Sequence, residues 1–269
     1  MPQFEMMAVR PGIRIALDRH EPRNIHAEKP GFLWLNGFKS DMTGTKATRL
    51  RQCAVAAGRF FIRFDYSGHG LSEGRFEDGT LSLWLAEARA VLTLAKNRPM
   101  ILIGSSMGGY LALLLARERA GAIKGLVLVA PAADMTAALM EPEINANEEA
   151  LSALARDGVW LRPSQYGDPY PITRKLIEDG RKHRLLPQGF DLACPLRILH
   201  GDRDSDVPWQ HGRATFEAIR SPDAQFILIK DGDHRLSRDQ DILAIERAAE
   251  NLAQDYRLSV AASALSPSR

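Results

Sequence analysis

Ser106 stands in Met100-Ile-Leu-Ile-Gly104-Ser105-Ser106-Met107-Gly108-Gly109-Tyr110, an apolar run of strand length, a Gly-x-Ser-x-Gly turn and an apolar run of helical length. That order suits acyl transfer. The sharp turn holds the serine in a strained conformation with its hydroxyl exposed, and the small flanking residues let strand and helix approach. The helix behind it turns its positive end, beginning with the Met107 N–H, toward an oxygen that gains charge. A second match, Gly70-Leu71-Ser72-Glu73-Gly74, leads into polar Arg75-Phe76-Glu77-Asp78-Gly79 instead of a helix. Ser105 would need glycines where Ile103 and Met107 stand. The bland alternative for Ser106 is a tight strand-to-helix turn without chemistry.

A serine needs a neutral imidazole to take its proton and a carboxylate to orient that imidazole. His234, in Lys230-Asp-Gly-Asp-His234-Arg just after the last apolar run, occupies the place of the base, with Gly232 permitting a sharp bend. His20 and His26 precede the serine, His69 lies in a glycine-rich turn, and His183 and His211 bound helices. His200 closes a strand and reads as a buried turn anchor. The stretch Leu199-His-Gly-Asp202-Arg-Asp204-Ser-Asp206-Val-Pro208-Trp209 offers three candidate acids that spacing alone does not separate, and Asp134 is an outside candidate.

These residues need elements to carry them. Phe4–Val9 and Ile13–Asp18, split by Pro11-Gly12, read as an antiparallel pair. Phe32–Leu35, Phe60–Phe64, Met100–Ile103, Leu126–Val129, Leu196–Leu199 and Phe226–Ile229 are short and nearly all apolar, as strands covered on both faces are. Arg63 and Arg197 are exceptions expected near strand ends or in ion pairs. Helix-length segments lie between: about 45–57, 81–96, 107–119, 210–219 and 238–256. The alternation predicts an α/β fold. It breaks at about 131–190, a proline-containing stretch with helical fragments (147–156 and 172–183) and no strand-like run, which reads as a cap inserted after the sixth strand. The whole reads as a single domain, 1–269, with a frayed tail from 258. A second oxyanion donor belongs in the loop Leu35-Asn36-Gly37-Phe38-Lys39-Ser40, where the Phe38 N–H is the first choice and Gly37 the next. Asp65-Tyr66-Ser67-Gly68-His69-Gly70 superficially suggests a dinucleotide loop, but lacks the third glycine at the right place and the following helix. It reads as a turn packed beneath the serine.

Composition narrows the field. The 269 residues are 45% hydrophobic and 25% charged, with 35 basic and 33 acidic side chains giving a formal charge of +2. This balance argues against nucleic acid or an anionic membrane as partner. The 2 cysteines, Cys53 and Cys194, form no CxxC pair and read as structural thiols, so no metal is expected. No apolar run is long enough to span a membrane, and the N-terminus reads as neither signal nor transit peptide, so a cytoplasmic location is expected.

Together, Phe64-Asp-Tyr-Ser-Gly68-His-Gly70-Leu-Ser72, the Ser106 turn, His200-Gly-x-x-Asp204-x-x-Val207-Pro208 and Asp233-His234-Arg235 resemble the α/β-hydrolase superfamily. Within it the chain looks most like the branch of palmitoyl-protein thioesterases and acyl-glucuronide esterases, from about Arg10 to Tyr256. Relatives often carry His-Gly where this chain has Asn36-Gly37. The resemblance implies the α/β-hydrolase fold: a mostly parallel central sheet, helices on both faces and a helical cap. It makes Asp204 the acid beside Ser106 and His234. It also implies a serine hydrolase of carboxylic esters or acyl thioesters working through an acyl-serine, without cofactor. The substrate would be a small-molecule ester or thioester, or an acylated protein. Phe38, Trp160 and Tyr166 are the expected substrate-binding side chains, and the charged cap residues such as Arg156 and Arg174 read as a solvated face. The alternative from another class is a non-catalytic protein of the same fold that binds an apolar small molecule.

Overall fold

The computed structural model describes residues 4–22, 29–164 and 167–265. Among them one sheet is built from β1 (Glu5–Arg10), β2 (Ile13–His20), β3 (Gly31–Leu35), β4 (Phe61–Phe64), β5 (Met100–Ser105), β6 (Ile123–Val129), β10 (Leu196–Gly201) and β12 (Ala224–Ile229), numbered in chain order. These 8 strands lie in the order β1-β2-β4-β3-β5-β6-β10-β12. β2 pairs antiparallel with β1 and β4, and the remaining pairs are parallel. All eight apolar runs are strands of this sheet, and the expected α/β-hydrolase architecture forms.

Side chains alternate between the two faces. Leu33, Leu35, Leu102, Leu126 and Leu128 join one core with Trp84, Tyr110 and Leu114. Phe32, Trp34, Ile101, Ile103, Val127 and Val129 join the other with Leu50, Ile245 and Leu252. The helices α2 (Leu81–Thr93) and α3 (Met107–Glu118) therefore cover one face, while α1 (Thr45–Ala56) and α8 (Asp239–Leu265) cover the other. Period-2 alternation of apolar residues on both faces requires this doubly covered sheet. Truncating any one of these fully buried leucines to alanine costs about 2–5 kcal/mol. The two arginines are paired as expected. Buried Arg63 meets Asp18 at 2.9 Å and donates to the Met42 carbonyl, and Arg197 meets Asp223 at 2.7 Å.

Registration aligns one rim of the sheet. Leu35 pairs with Gly104, Ser105 with Val129, Val129 with Leu199, and Gly201 with Ile229. The carboxyl ends of β3, β5, β6, β10 and β12 thus finish side by side, and the loops that leave them share one end of the molecule.

Between β6 and β10 the chain makes a π-helical turn (Met135–Met140), α4 (Glu141–Asn145), α5 (Glu148–Asp157), β7 (Val159–Arg162), β8 (Tyr170–Thr173) and α6 (Arg174–Gly180). This corrects the expectation of a strandless stretch: β7 and β8 pair antiparallel, with Trp160 opposite Ile172 and Leu161 opposite Pro171. Pro171 is tolerated because, among the described residues, β8 pairs with β7 alone and needs no donor on its other side. The expected helix over 172–183 is shorter for the same reason. Ile172 and Thr173 serve the strand, and the Thr173 hydroxyl then caps α6 by accepting the Leu176 N–H at 3.2 Å. Two further segments, β9 (Phe190–Asp191) and β11 (Ile219–Arg220), pair in parallel beside α7 (Trp209–Ala218). α8 continues to Leu265, past the point where a frayed tail was expected; its Ala-rich end favours helix.

Candidate active site

The turn between β5 and α3 holds Ser106 at φ 54° and ψ −116°, a strained geometry for a residue with a side chain. A Cβ at Gly104 would lie 2.3 Å from the Gly108 carbonyl oxygen, and one at Gly108 would lie 2.1 Å from the Leu35 carbonyl oxygen. Neither position tolerates anything but hydrogen. The turn is fixed by the Ser106 N–H, which donates to the Val129 carbonyl at 2.9 Å, and by the Ser106 carbonyl, which accepts from Tyr110 and Ala132. The hydroxyl is left to face a cavity of about 790 Å³, lined by Phe38, Met135, Leu139, Met140, Tyr170 and His234 among others.

His234 leaves the end of β12 and reaches the acid loop after β10. Its Nδ1 lies 2.8 Å from Asp204 Oδ2. A carboxylate only accepts, so Nδ1 carries the proton and Nε2 keeps its lone pair. The meeting of the two loops depends on close backbone approach: a Cβ at Gly201 would lie 2.2 Å from the Gly232 carbonyl oxygen. Gly232 does not supply the bend expected of it; Asp231 does, at φ 55°.

Of the three candidate acids, Asp204 alone faces the imidazole. Its Oδ1 accepts the N–H groups of Asp206 (3.0 Å) and Val207 (2.8 Å), and its Oδ2 lies between His234 Nδ1 and His200 Nε2, the latter at 3.2 Å. Burial disfavours its charge, but the hydrogen bonds from both imidazoles and from Val207 outweigh this and hold the carboxyl well below the usual range. Asp202 instead pairs with Lys230 at 2.8 Å, and Asp206 lines the cavity. Asp134 accepts the N–H groups of Leu185 and Leu186 and anchors the chain there.

Among the described residues no hydrogen bond joins the Ser106 hydroxyl to His234, although both line the one cavity. Such contacts are often long before substrate is bound and tighten with it. The loop after β3 borders the serine as well: a Cβ at Gly37 would sit 3.5 Å from Ser106 Cβ. Met107 follows Ser106 as the first residue of α3, and Phe38 follows Gly37 on that loop and lines the same cavity.

The expected substrate contacts fare unequally. The Phe38 ring lines the cavity and meets Phe76, Trp84 and Tyr170 edge-on at 4.8–5.9 Å between centroids. Trp160 is buried in the core and is not among the lining residues; Tyr170, on the strand opposite β7, lines the wall instead. Tyr166 and His26 lie outside the described residues. Sequence reasoning also missed the Arg162–Glu143 ion pair (2.9 Å) in the wall and Lys46, whose ammonium donates to the Arg235 carbonyl beside His234. Burial lowers the Lys46 pKa to about 8 against the pull of Asp233. His200 is the turn anchor expected, with Nε2 2.8 Å from the Val207 carbonyl, but it also touches the acid. Its spacing of four from Asp204 was the available signal. Among the described residues no cluster of His, Cys, Asp and Glu is arranged for a metal ion, and no helix is long and apolar enough to cross a membrane. Cys53 and Cys194 are free thiols, and burial pushes the Cys194 thiol up to about 12.

The mostly parallel sheet carries a serine on the turn after its central strand and an acid–imidazole pair on the loops of two later strands, and comparison with known proteins finds the same fold. Residues 43–178 match the family described as serine aminopeptidase, S33. The mitochondrial palmitoyl-protein thioesterase ABHD10 of Mus musculus is 34% identical over 222 residues, covering 82% of this chain and 74% of that one. The solved mouse alpha/beta hydrolase domain-containing protein 10 superposes with a TM-score of 0.80 at 31% identity, covering 94% and 99% of the two chains. A solved protein from Agrobacterium vitis S4 superposes at 0.89 with 41% identity and the same coverage. The chain belongs to the α/β-hydrolase family, within its group of serine hydrolases and thioesterases.

Proposed function

We propose that this protein cleaves carboxylic esters or acyl thioesters through an acyl-Ser106 intermediate. The observation that carries the reading is the pairing of buried Asp204 with half-buried His234, which opens into the cavity that exposes Ser106 on its strained turn. In the proposed reaction His234 Nε2 takes the Ser106 proton as the hydroxyl oxygen bonds to the acyl carbon. Asp204 holds the ring and stabilises the imidazolium that forms. The N–H groups of Met107 and Phe38 receive the oxyanion, together a matter of several kcal/mol in a dry site. The imidazolium returns its proton to the departing alcohol or thiol as the bond to it breaks. Water, deprotonated by the same nitrogen, then releases the acid and restores Ser106.

The apolar lining by Phe38, Met135, Leu139, Met140 and Tyr170 supports an acyl chain as the group bound beside the serine, at about 0.8 kcal/mol for each methylene removed from water. Residues 131–190, which supply Leu139, Met140 and Tyr170, act in this reading as the cap. The names of the thioesterase relatives support the same substrate class, either a small ester or thioester or an acylated protein. The test is kcat/KM over matched oxygen esters and thioesters of rising acyl length, with Ser106→Ala as control. Turnover that rises with chain length and disappears in the variant is expected. Tight binding of the same compounds without turnover would replace this reading by that of a binding protein.

A further inference from the structure

The glycine-rich turn Gly68-His69-Gly70 has no part in the steps above, yet it grips the loop that carries Phe38. Three contacts tie that loop to residues 64–69, one of them from the turn itself. Asn36 Nδ2 donates to the Phe64 carbonyl at 2.6 Å, the Met42 N–H donates to Asp65 Oδ1 at 2.6 Å, and between them the Lys39 N–H donates to His69 Nε2 at 3.2 Å. The turn itself has little freedom. A Cβ at Gly68 would lie 2.6 Å from Phe76 Cα, and one at Gly70 would lie 2.1 Å from Asp65 Oδ2. The imidazole is buried, with its ring 5.0–5.6 Å from those of Tyr66, Phe76 and Trp84. Its Nδ1 faces the Ser67 carbonyl at 3.3 Å, so Nδ1 bears the proton and Nε2 accepts.

Lys39 is held at φ 53°, a left-handed conformation that a lysine adopts only when its surroundings impose it. Its N–H belongs to the peptide that directly follows Phe38. Holding that N–H fixes the plane of the Phe38–Lys39 peptide, one Cα away from the peptide that carries the Phe38 N–H. On the other side Lys39 Nζ donates to the Pro169 carbonyl at 3.1 Å, so the loop spans the gap between the 68–70 turn and residues 131–190.

We propose that His69 is a positioning residue for the oxyanion site: its Nε2 holds the Lys39 peptide so that the neighbouring Phe38 N–H stays directed at the oxygen developing on the substrate. This rests on the hydrolase reading above. An aromatic ring at 69 would satisfy packing alone, whereas positioning requires the acceptor. His69→Phe keeps a ring without an acceptor, and His69→Gln restores an acceptor without the ring.

The experiment measures kcat, KM and affinity for an alkylboronate, which forms a tetrahedral adduct, in wild type and both variants. His69→Phe is expected to lower kcat about 10- to 100-fold and to weaken the boronate by a similar factor, with KM changed less than about twofold. His69→Gln is expected to recover most of the loss. Wild-type turnover that depends on Ser106, with His69→Phe within twofold of wild-type kcat or His69→Gln no better than His69→Phe, overturns the positioning role alone. A wild type without Ser106-dependent turnover overturns the hydrolase reading and this role with it. Should both variants fail to fold, the nitrogen resonances of His69 in the wild type decide. An unprotonated, accepting Nε2 beside a protected Lys39 amide is expected, and a protonated Nε2 overturns the proposal.

Discussion

Replacing Asp204 by asparagine removes one charge and leaves the side-chain shape intact, so the outcome follows from hydrogen-bond direction. Oδ1 serves two backbone donors, Asp206 and Val207, at 3.0 and 2.8 Å, and Oδ2 serves two imidazole nitrogens at 2.8 and 3.2 Å. In the Asp204→Asn variant the amide oxygen would keep the backbone donors, which leaves the NH₂ group facing His234 Nδ1. That nitrogen must then accept, and the ring proton moves to Nε2, where it blocks removal of the Ser106 proton. The opposite amide orientation sets NH₂ against two backbone N–H groups and is worse. Losing the correct tautomer and the imidazolium's counter-charge costs about 10³- to 10⁴-fold in kcat, or about 4–5 kcal/mol at 1.36 kcal/mol per factor of ten. Steady-state kinetics on an ester and a thioester, with circular dichroism to verify folding, measure it. Asp202→Asn, which weakens the pair with Lys230 and leaves the Asp204–His234 contact in place, is the control and should stay within about threefold of wild type. A folded Asp204→Asn enzyme that keeps more than a tenth of wild-type kcat refutes the reasoning.

Three further outcomes are expected. Gly108→Ala forces a Cβ against the Leu35 carbonyl oxygen at 2.1 Å, a backbone atom with nowhere to go, and should destabilise by at least about 3 kcal/mol in urea unfolding; a loss below about 1 kcal/mol would contradict the turn geometry. Burial lowers the His69 pKa from 6.5 to about 4, so the unfolded chain takes up the proton first as pH falls. The stability conferred by the neutral ring is complete above 6.5 and drains to about 3 kcal/mol of loss by pH 4, a slope that His69→Phe should flatten by that amount in unfolding curves across the window. Leu139→Trp fills part of the cavity wall and should lower kcat/KM for a palmitoyl ester at least about tenfold while acetyl turnover stays within about threefold; equal losses on both would move the acyl chain elsewhere.

Much of this was legible in the residues themselves. Short apolar runs with no polar face admit only strands covered on both sides, and Gly104-x-Ser106-x-Gly108 between strand and helix admits only a tight turn, as the 2.1 and 2.3 Å approaches require. That His234 lies beside the loop after β10, against Asp204, followed from its place after the last strand. Spacing left Asp202, Asp204 and Asp206 open, because the choice depends on which carboxylate the turn directs inward, and resemblance supplied Asp204. The β7–β8 hairpin stayed hidden because each strand is four residues long, sits beside helices and includes Pro171. Trp160 misled as a pocket residue because aromatic type says nothing about which side of a short strand faces the core. The His69 contact joins residues 30 apart in the chain and leaves no periodic trace.

The central claim is that the Ser106 oxygen, activated by His234 and Asp204, takes the acyl group. Its most direct test is intact-mass analysis and peptide mapping after reaction with a fluorophosphonate. One adduct per chain, mapped to Ser106 and formed far more slowly in Asp204→Asn, is the predicted result. Folded, unlabelled wild type, or an adduct on any other residue, would contradict it.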